Sequence, residues 1–180
     1  MPIYQYIISN KYLNDIYKVY KNSIKHIQNN YTKNKKYYAI IDLDETFLFN
    51  DFYLLHTLNI YKYNLNIYNY YKKKLNPLFG PILPFICILY YYLKHKNINI
   101  IFLTARELKY KEDTIKNLKL FKIEYEKIIF KDTDIESFKY KKTQIEQLNK
   151  EYDIILILND QPEFKHKHLI QMPRLYNSIN

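Results

Sequence analysis

A short apolar segment that ends in acidic residues sets the strongest limit on how this chain folds. Residues 38–41 read Tyr-Ala-Ile-Ile, and Asp42, Leu43 and Asp44 follow them directly. β-branched and aromatic residues favour strands, and alternate side chains of a strand point the same way. The two carboxylates therefore converge at the carboxyl end of a predicted strand, where their repulsion is costly unless a divalent cation or a bound proton relieves it. A strand followed by a solvated acidic turn is the alternative without a function.

The rest of the chain alternates apolar strands with helical periodicity. Helices are predicted over 4–30 (one or two), 84–95, 111–120 and 139–150, and strands over 38–43, 98–103, 127–130, 154–158 and 169–172. This alternation predicts an α/β fold, with a Rossmann-like parallel sheet flanked by helices and a helical N-terminal lead-in. Ligands of such sheets bind beyond the carboxyl ends of the strands. Thr104, Lys141 and Asp160 join Asp42 at or just after such ends.

The length fits one domain, residues 1–180, with a small accessory segment. The single cysteine, Cys87, excludes an internal disulfide and fits a reducing compartment. The N-terminus lacks the basic and apolar regions of a signal peptide. Residues 77–93, the most apolar run, are short for a membrane span and include prolines. These features predict a cytoplasmic protein without a membrane partner.

The chain is strongly basic, with 28 Lys and Arg against 18 Asp and Glu, a net charge of +10, and 22 tyrosines. Basic residues interleaved with aromatic ones are typical of surfaces that follow a nucleic-acid backbone and stack on its bases. The same bias toward Asn, Lys, Ile and Tyr, with a single glycine, also follows from an AT-rich coding sequence, which we favour. In either case the positive field attracts anionic substrates such as phosphate esters.

Four ordered segments resemble the motifs of the haloacid dehalogenase (HAD) superfamily of phosphohydrolases. They are Asp42-Leu43-Asp44-Glu45-Thr46, residues 97–106 with Thr104-Ala105-Arg106 at their end, Tyr140-Lys141-Lys142, and residues 154–161 with Asn159-Asp160-Gln161 at their end. Together with the terminal Met172-Pro173-Arg174-Leu175-Tyr176, the pattern is similar to the class B and plant-type acid phosphatases of subfamily IIIB. This resemblance covers nearly the whole chain, and it implies that residues 50–78 form a small, helical, cap-like insertion after the first strand.

The resemblance implies a phosphomonoesterase that depends on Mg²⁺. Asp42 would be the nucleophile that forms an aspartyl-phosphate, and Asp44 would act first as general acid and then as general base. Thr104 and Lys141 would bind the phosphoryl group. Asp42, the backbone carbonyl of Asp44 and the carboxylate of Asp160 would hold the Mg²⁺.

Two further basic residues are candidate substrate contacts, and two positions depart from the family pattern. Arg106 follows the second motif and Lys131 follows the third predicted strand; for each, a solvent-facing role is the alternative. Asn159 occupies the place where the family usually has glycine, and Phe164 the place where it has a second aspartate. Glu163 is the candidate substitute for that missing carboxylate.

The expected partner is a phosphorylated small molecule such as a nucleotide. Two other functions stay open at this point. The first is a phosphatase that processes nucleic-acid ends, which would need a basic, aromatic channel leading to the same catalytic residues. The second is a non-catalytic binding protein of the HAD fold, which the altered fourth motif would fit. The abundance of tyrosine also fits a homodimer.

Overall fold

The computed structural model describes residues 10–50, 80–132, 134–161 and 163–173. These residues form a five-stranded parallel sheet in the order β3-β2-β1-β4-β5. The strands are β1 (Tyr38–Ile41), β2 (Asn99–Glu107), β3 (Lys127–Lys131), β4 (Ile154–Asn159) and β5 (Leu169–Gln171). The helices are α1 (Asn10–Asn30), α2 (Pro84–His95), α3 (Lys111–Leu120) and α4 (Ser137–Glu151), and a 3-10 turn (Leu108–Tyr110) precedes α3. The expected α/β fold with a parallel sheet is confirmed.

The central strand β1 lies where the strand order reverses. It pairs with β2 on one side and with β4 on the other. Two neighbouring crossovers leave a crevice at such a point, beyond the carboxyl ends of the strands, and ligands of open α/β sheets bind there. The chain after β1 therefore enters the position where this fold binds ligands.

Alternate residues of β1 pack into two separate cores. Ala39 and Ile41 face the core that α1 and α2 cover, whereas Tyr38 and Ile40 face the core that α4 covers. Each Ile or Leu that is fully buried in these cores contributes about 1.5–3 kcal/mol. The sheet is therefore covered on both faces, as the continuous apolar strands predict.

Helix α1 covers the sheet with one stripe of its surface. Its buried residues recur every three or four positions, which places them on one face; they are Tyr12, Ile16, Val19, Ser23 and Ile27. This face packs against α2 and against strands β4 and β5. The lead-in was expected to hold one or two helices, and from Asn10 onward it is one.

Two strand boundaries differ from the expected ones. β1 ends at Ile41 rather than at residue 43, because a tight turn begins at Leu43. β2 continues to Glu107 instead of ending at residue 103, so the expectation that Thr104 follows the strand end is wrong. The pairing of β2 with β3 is irregular between Leu103 and Glu107, so the backbone around Thr104 departs from a regular ladder.

Several expectations fall outside the part of the chain that the structure describes. They concern most of the insertion at residues 50–78 and the end of the terminal motif from Arg174 onward. The single domain with a cap-like insertion stays a prediction. None of the helices in the described segments combines the length and the hydrophobicity that a membrane crossing requires.

Candidate active site

The turn after β1 places the first two acidic residues at the carboxyl edge of the sheet. The carbonyl of Leu43 accepts hydrogen bonds from the amides of Phe47 at 3.0 Å and Leu48 at 2.8 Å. Glu45 adopts a left-handed conformation with φ of 56°, which is uncommon for a residue with a side chain. Thr46 is buried in this turn, but its hydroxyl has no hydrogen-bond partner within the described segments. Backbone hydrogen bonds hold the turn, together with one that the Asn50 amide donates to Glu45 Oε1 at 3.0 Å.

Asp42 forms a buried ion pair with Lys141. The distance from Asp42 Oδ2 to Lys141 Nζ is 2.8 Å, and the two side chains are 5% and 4% exposed. Asp42 Oδ1 accepts a hydrogen bond from the amide of Leu43 at 2.9 Å. Burial raises the pKa of Asp42 to about 7; Lys141 opposes this rise, and the charges of Asp160 and Asp44 add to it. Removal of the Asp42 carboxylate from water thus outweighs its stabilisation by Lys141.

Helix α4 brings Lys141 to Asp42. Lys141 lies in the second turn of the helix, and its neighbour Tyr140 donates a hydrogen bond to the carbonyl of Phe130 at 2.6 Å. Because Phe130 belongs to β3, this bond joins the start of α4 to the carboxyl edge of the sheet. Burial raises the pKa of Tyr140 to about 12, so its hydroxyl stays a donor at neutral pH.

Asp44 is held by Arg106. Arg106 Nε lies 3.1 Å from Oδ1 and 3.0 Å from Oδ2 of Asp44, and its Nη2 lies 2.8 Å from Oδ1. The Arg106 side chain is 6% exposed, whereas that of Asp44 is 42% exposed. Asp44 therefore faces the solvent side of the site, and the buried Arg106 binds its carboxylate from the protein interior. Such a planar contact with both oxygens is specific to arginine.

Thr104 lies between the acidic groups and Arg106. It is fully buried in β2, and its hydroxyl is 3.4 Å from Asp44 Oδ2. The same hydroxyl oxygen accepts a hydrogen bond from the backbone amide of Arg106 at 3.1 Å. With its oxygen used as an acceptor, the hydroxyl donates its proton toward Asp44 Oδ2 through a long hydrogen bond.

The remaining predicted residues occupy different places. Asp160 follows β4 directly and lies near enough for its charge to act on Asp42. Glu163 is exposed. Lys131 ends β3 opposite Glu107, on the side of β2 that faces away from β1. The structure thus brings together the residues of the four motifs, and it leaves Lys131 one strand further out.

Asn159 ends β4 without unusual backbone angles, although glycine is usual at this position. Its φ is not positive, and its carbonyl accepts hydrogen bonds from the Met172 amide and the Gln171 side chain, both at 2.9 Å. Its own side-chain oxygen accepts from the Gln161 amide at 3.3 Å. The turn therefore forms with asparagine in place of glycine.

Three residues near the site have no signal in the sequence. Asn50 donates a hydrogen bond from its side chain to Asp44 Oδ1. Gly80, the one glycine of the chain, lies against Asn50, and a Cβ atom at this position would overlap the Asn50 side chain. Thr114 accepts a hydrogen bond from Arg106 at 2.8 Å. Each is defined by tertiary contacts rather than by a motif.

The donor atoms at this edge fit a hard divalent cation. Mg²⁺ is bound by oxygen ligands, commonly one or two carboxylates, with water and substrate oxygens completing the shell. Asp42 and Asp160 are two carboxylates near enough for the charge of one to act on the other, and the backbone carbonyl of Asp44 is the third expected ligand. Within the described segments no three His, Cys, Asp or Glu side chains group as metal ligands. The expected Mg²⁺ site uses two carboxylate side chains and one backbone carbonyl, so it does not require a group of three such side chains.

Comparison with known proteins identifies the family. The family model described as HAD superfamily, subfamily IIIB (Acid phosphatase), matches residues 2–173. No curated protein sequence matches the chain.

Solved structures share the fold. The class C acid phosphatase from Bacillus anthracis superposes with a TM-score of 0.69 at 22% identity, over 87% of this chain and 66% of that one. The class C acid phosphatase from Bacillus anthracis with tungstate bound superposes with a TM-score of 0.67 at 21% identity. The match covers 91% of this chain and 69% of that one. A chain of the Pnkp1/Rnl/Hen1 RNA repair complex superposes with a TM-score of 0.54 at 18% identity. The match covers 74% of this chain and 39% of that one. The chain thus spans about two thirds of the acid phosphatases and less of the repair protein.

The fold and the site define a protein of the phosphomonoester hydrolase class, built on a parallel HAD-like sheet. The chain belongs to the acid phosphatase family, subfamily IIIB of the HAD superfamily.

Proposed function

We propose that this protein hydrolyses phosphate monoesters with Asp42 as the nucleophile. The observation that carries the proposal is the buried pair of Asp42 and Lys141 at the switch point of the sheet. A buried carboxylate with a single counter-charge and a second acid nearby is poorly suited to a purely structural role. It suits a site that awaits an anionic, electrophilic ligand and a cation.

The reaction would proceed in two balanced steps. An Asp42 oxygen attacks phosphorus, the bond from phosphorus to the ester oxygen breaks, and Asp44 gives that oxygen a proton. Water then attacks the phosphorus of the aspartyl-phosphate, Asp44 takes the proton from the water, and inorganic phosphate leaves as Asp42 is restored. Two easier displacements replace one difficult displacement. Arg106 pairs with the ionised form of Asp44, which is the form required in the second step.

The other site residues would bind and orient the phosphoryl group. Lys141 offsets negative charge on the phosphoryl oxygens and on Asp42. The Thr104 hydroxyl, which donates a long hydrogen bond of 3.4 Å to Asp44 Oδ2, would turn its proton to a phosphoryl oxygen when substrate is bound. Asp42, the Asp44 carbonyl and Asp160 would hold Mg²⁺, which when bound supplies neutralisation of the phosphate charge.

The substrate would be a phosphorylated small molecule, such as a nucleotide. The net charge of +10 supports an anionic substrate, because a positive field raises its local concentration. Arg106 and Lys131 are the candidate contacts beyond the phosphate, although Arg106 already binds Asp44. The single cysteine, which has no disulfide partner, supports a cytoplasmic location, and a homodimer stays a prediction.

Phosphate release from p-nitrophenyl phosphate with Mg²⁺ tests the proposal. Asp42→Asn should abolish turnover, because a carboxamide of the same shape cannot attack phosphorus. Asp153→Asn is the matched control: Asp153 is an exposed aspartate before β4 that pairs with Lys35 at 2.7 Å, at the opposite edge of the sheet. Turnover that survives Asp42→Asn would refute the nucleophile. Absence of turnover in the wild type with every phosphate ester tried would favour the non-catalytic binding protein.

A second candidate is a phosphatase that acts on nucleic-acid ends. It is supported by the positive charge and by the similarity of the fold to a chain of an RNA repair complex. The comparison to make is hydrolysis of a nucleoside monophosphate and of an oligonucleotide with a terminal phosphate, over a range of salt. Binding along a nucleic-acid backbone weakens steeply with salt, so a steep loss for the oligonucleotide alone would favour this candidate. Equal salt dependence favours the small substrate.

A further inference from the structure

We infer that Thr114 is a positioning residue of this site, which acts on Asp44 through Arg106; the inference rests on the proposed phosphatase function. Thr114 lies in the first turn of α3 and is fully buried. Its hydroxyl accepts a hydrogen bond from Arg106 Nη1 at 2.8 Å and donates one to the carbonyl of Tyr110 at 2.8 Å. The hydroxyl thereby links the guanidinium group to the backbone at the start of α3.

The contacts of Arg106 fix the guanidinium group from two directions. Nε and Nη2 bind the Asp44 carboxylate, and Nη1 binds Thr114. Because the guanidinium is planar and rigid, an anchor at Nη1 also sets the direction of the other two nitrogens. Asp44 is 42% exposed, and Arg106, which binds both of its oxygens, orients its carboxyl group together with Asn50 and Thr104.

A common structural role does not account for all contacts of Thr114. A buried hydroxyl in a helix often bonds the carbonyl four residues earlier, and Ser23 of α1 does so with Val19 at 2.8 Å. Thr114 makes this bond as well, but its oxygen also accepts from a buried arginine. Without that oxygen Nη1 would lose its acceptor in a buried place, which is costly. The guanidinium would then turn toward another acceptor and release Asp44.

Misplacement of Asp44 has a kinetic signature that loss of stability lacks. A general acid matters most when the leaving oxygen is a strong base, as in an alkyl phosphate. It matters little for p-nitrophenolate, which leaves readily without a proton. Removal of the Thr114 hydroxyl should therefore slow alkyl phosphate hydrolysis more than p-nitrophenyl phosphate hydrolysis.

The test compares kcat/KM, which reports the steps up to departure of the leaving group, for glycerol phosphate and p-nitrophenyl phosphate in the wild type, Thr114→Val and Thr114→Ser. Thr114→Val, which keeps the shape and lacks the hydroxyl, should lower the ratio of kcat/KM for glycerol phosphate to kcat/KM for p-nitrophenyl phosphate by about tenfold. Thr114→Ser keeps the hydroxyl and should keep the wild-type ratio. Ser23→Ala is the matched control, since it removes a buried helical hydroxyl far from Arg106 and should leave the ratio unchanged. Thr114→Ala replaces the valine variant if that variant does not fold.

The outcomes separate this inference from the function beneath it. A folded Thr114→Val protein with the wild-type ratio overturns the inference alone. Equal losses of kcat/KM on both substrates also overturn it, because they show that departure of the leaving group is not specifically impaired. A wild-type protein that hydrolyses neither substrate overturns the proposed function and the inference with it.

Discussion

Replacing Asp42 with asparagine should change how the stability of the cation-free protein depends on pH. Burial raises the pKa of Asp42 from 3.8 to about 7 in the folded state, whereas in the unfolded chain it keeps its ordinary value. Below both values the group is protonated in both states, and its contribution to stability is fully present. As pH rises toward 7 the unfolded chain loses this proton first, so the free energy of unfolding falls.

The size of this loss follows from the pKa difference. The rise of Asp42 from 3.8 to about 7 spans about three pH units, and each unit corresponds to about 1.4 kcal/mol. The wild type should therefore lose about 4 kcal/mol of stability between about pH 4 and pH 7, a large share of the total of a typical domain. Asparagine does not titrate, so Asp42→Asn should lack this loss. The variant also leaves Lys141 without its partner. This changes the free energy of unfolding of the variant by an amount that stays the same across this pH range.

His168 contributes a dependence of opposite sign. Burial lowers its pKa from 6.5 to about 4, and the neighbouring His26, Lys167 and His166 lower it further. Its contribution to stability is present above its unfolded pKa and is lost as pH falls toward 4. The effect is smaller than that of Asp42 because His168 is partly exposed and water screens its charge. His168 precedes β5 at the amino edge of the sheet, whereas Asp42 lies at the carboxyl edge. The contributions of Asp42 and His168 to the free energy of unfolding should therefore be additive.

Urea unfolding in EDTA, followed by circular dichroism across this pH range, measures both effects. Stability of Asp42→Asn relative to the wild type should improve by several kcal/mol as pH rises, and His168→Asn should steepen the decline of the wild type. Saturating Mg²⁺ should flatten the wild-type decline, because a bound cation favours ionised Asp42. Parallel pH curves for the wild type and Asp42→Asn would refute the reasoning about charge at this site.

Two substitutions at the site should lower turnover of p-nitrophenyl phosphate at saturating Mg²⁺. Lys141→Met removes the group that lowers the pKa of Asp42 and should reduce kcat by at least about 100-fold; a decrease of less than about threefold would contradict the assigned role. Arg106→Lys should reduce kcat about tenfold, because one ammonium group cannot hold Asp44 and Thr114 together. Wild-type turnover by a folded Arg106→Lys protein would show that the paired contact is dispensable.

The sequence predicts the parallel sheet and the helix bounds well where a local pattern carries the signal. The expected bounds of α2 and α3 are those of the structure, since proline begins α2 and periodicity is clear. The end of β2 is mispredicted because residues 104–107 hold few apolar residues. Their strand conformation comes from the pairing of Glu107 with Lys131 across an irregular stretch. Local composition does not contain that long-range pairing.

The support of the acidic residues could not be predicted, for a similar reason. Asp42, Asp44 and Lys141 lie in recognisable motifs, but the partners of Asp44 come from separate places. Arg106 reaches it from β2, while Asn50, seated against Gly80, contacts it from the turn side. The single glycine of the chain therefore has a physical reason, since any side chain there would displace Asn50. Only the tertiary structure reveals this requirement.

Phe164, at the position where a second acid was expected, packs against the helix that carries Lys141. Phe164 is buried, and its ring packs edge-on against Phe138 of α4 with the centroids 5.0 Å apart. Phe138 lies three residues before Lys141, so this contact fixes the helix that carries the lysine. Tyr140 fixes the same helix turn from the β3 side through its bond to Phe130. The ring contact of Phe138 and the hydrogen bond of Tyr140 thus hold the helix turn that carries Lys141, whose Nζ lies 2.8 Å from Asp42 Oδ2.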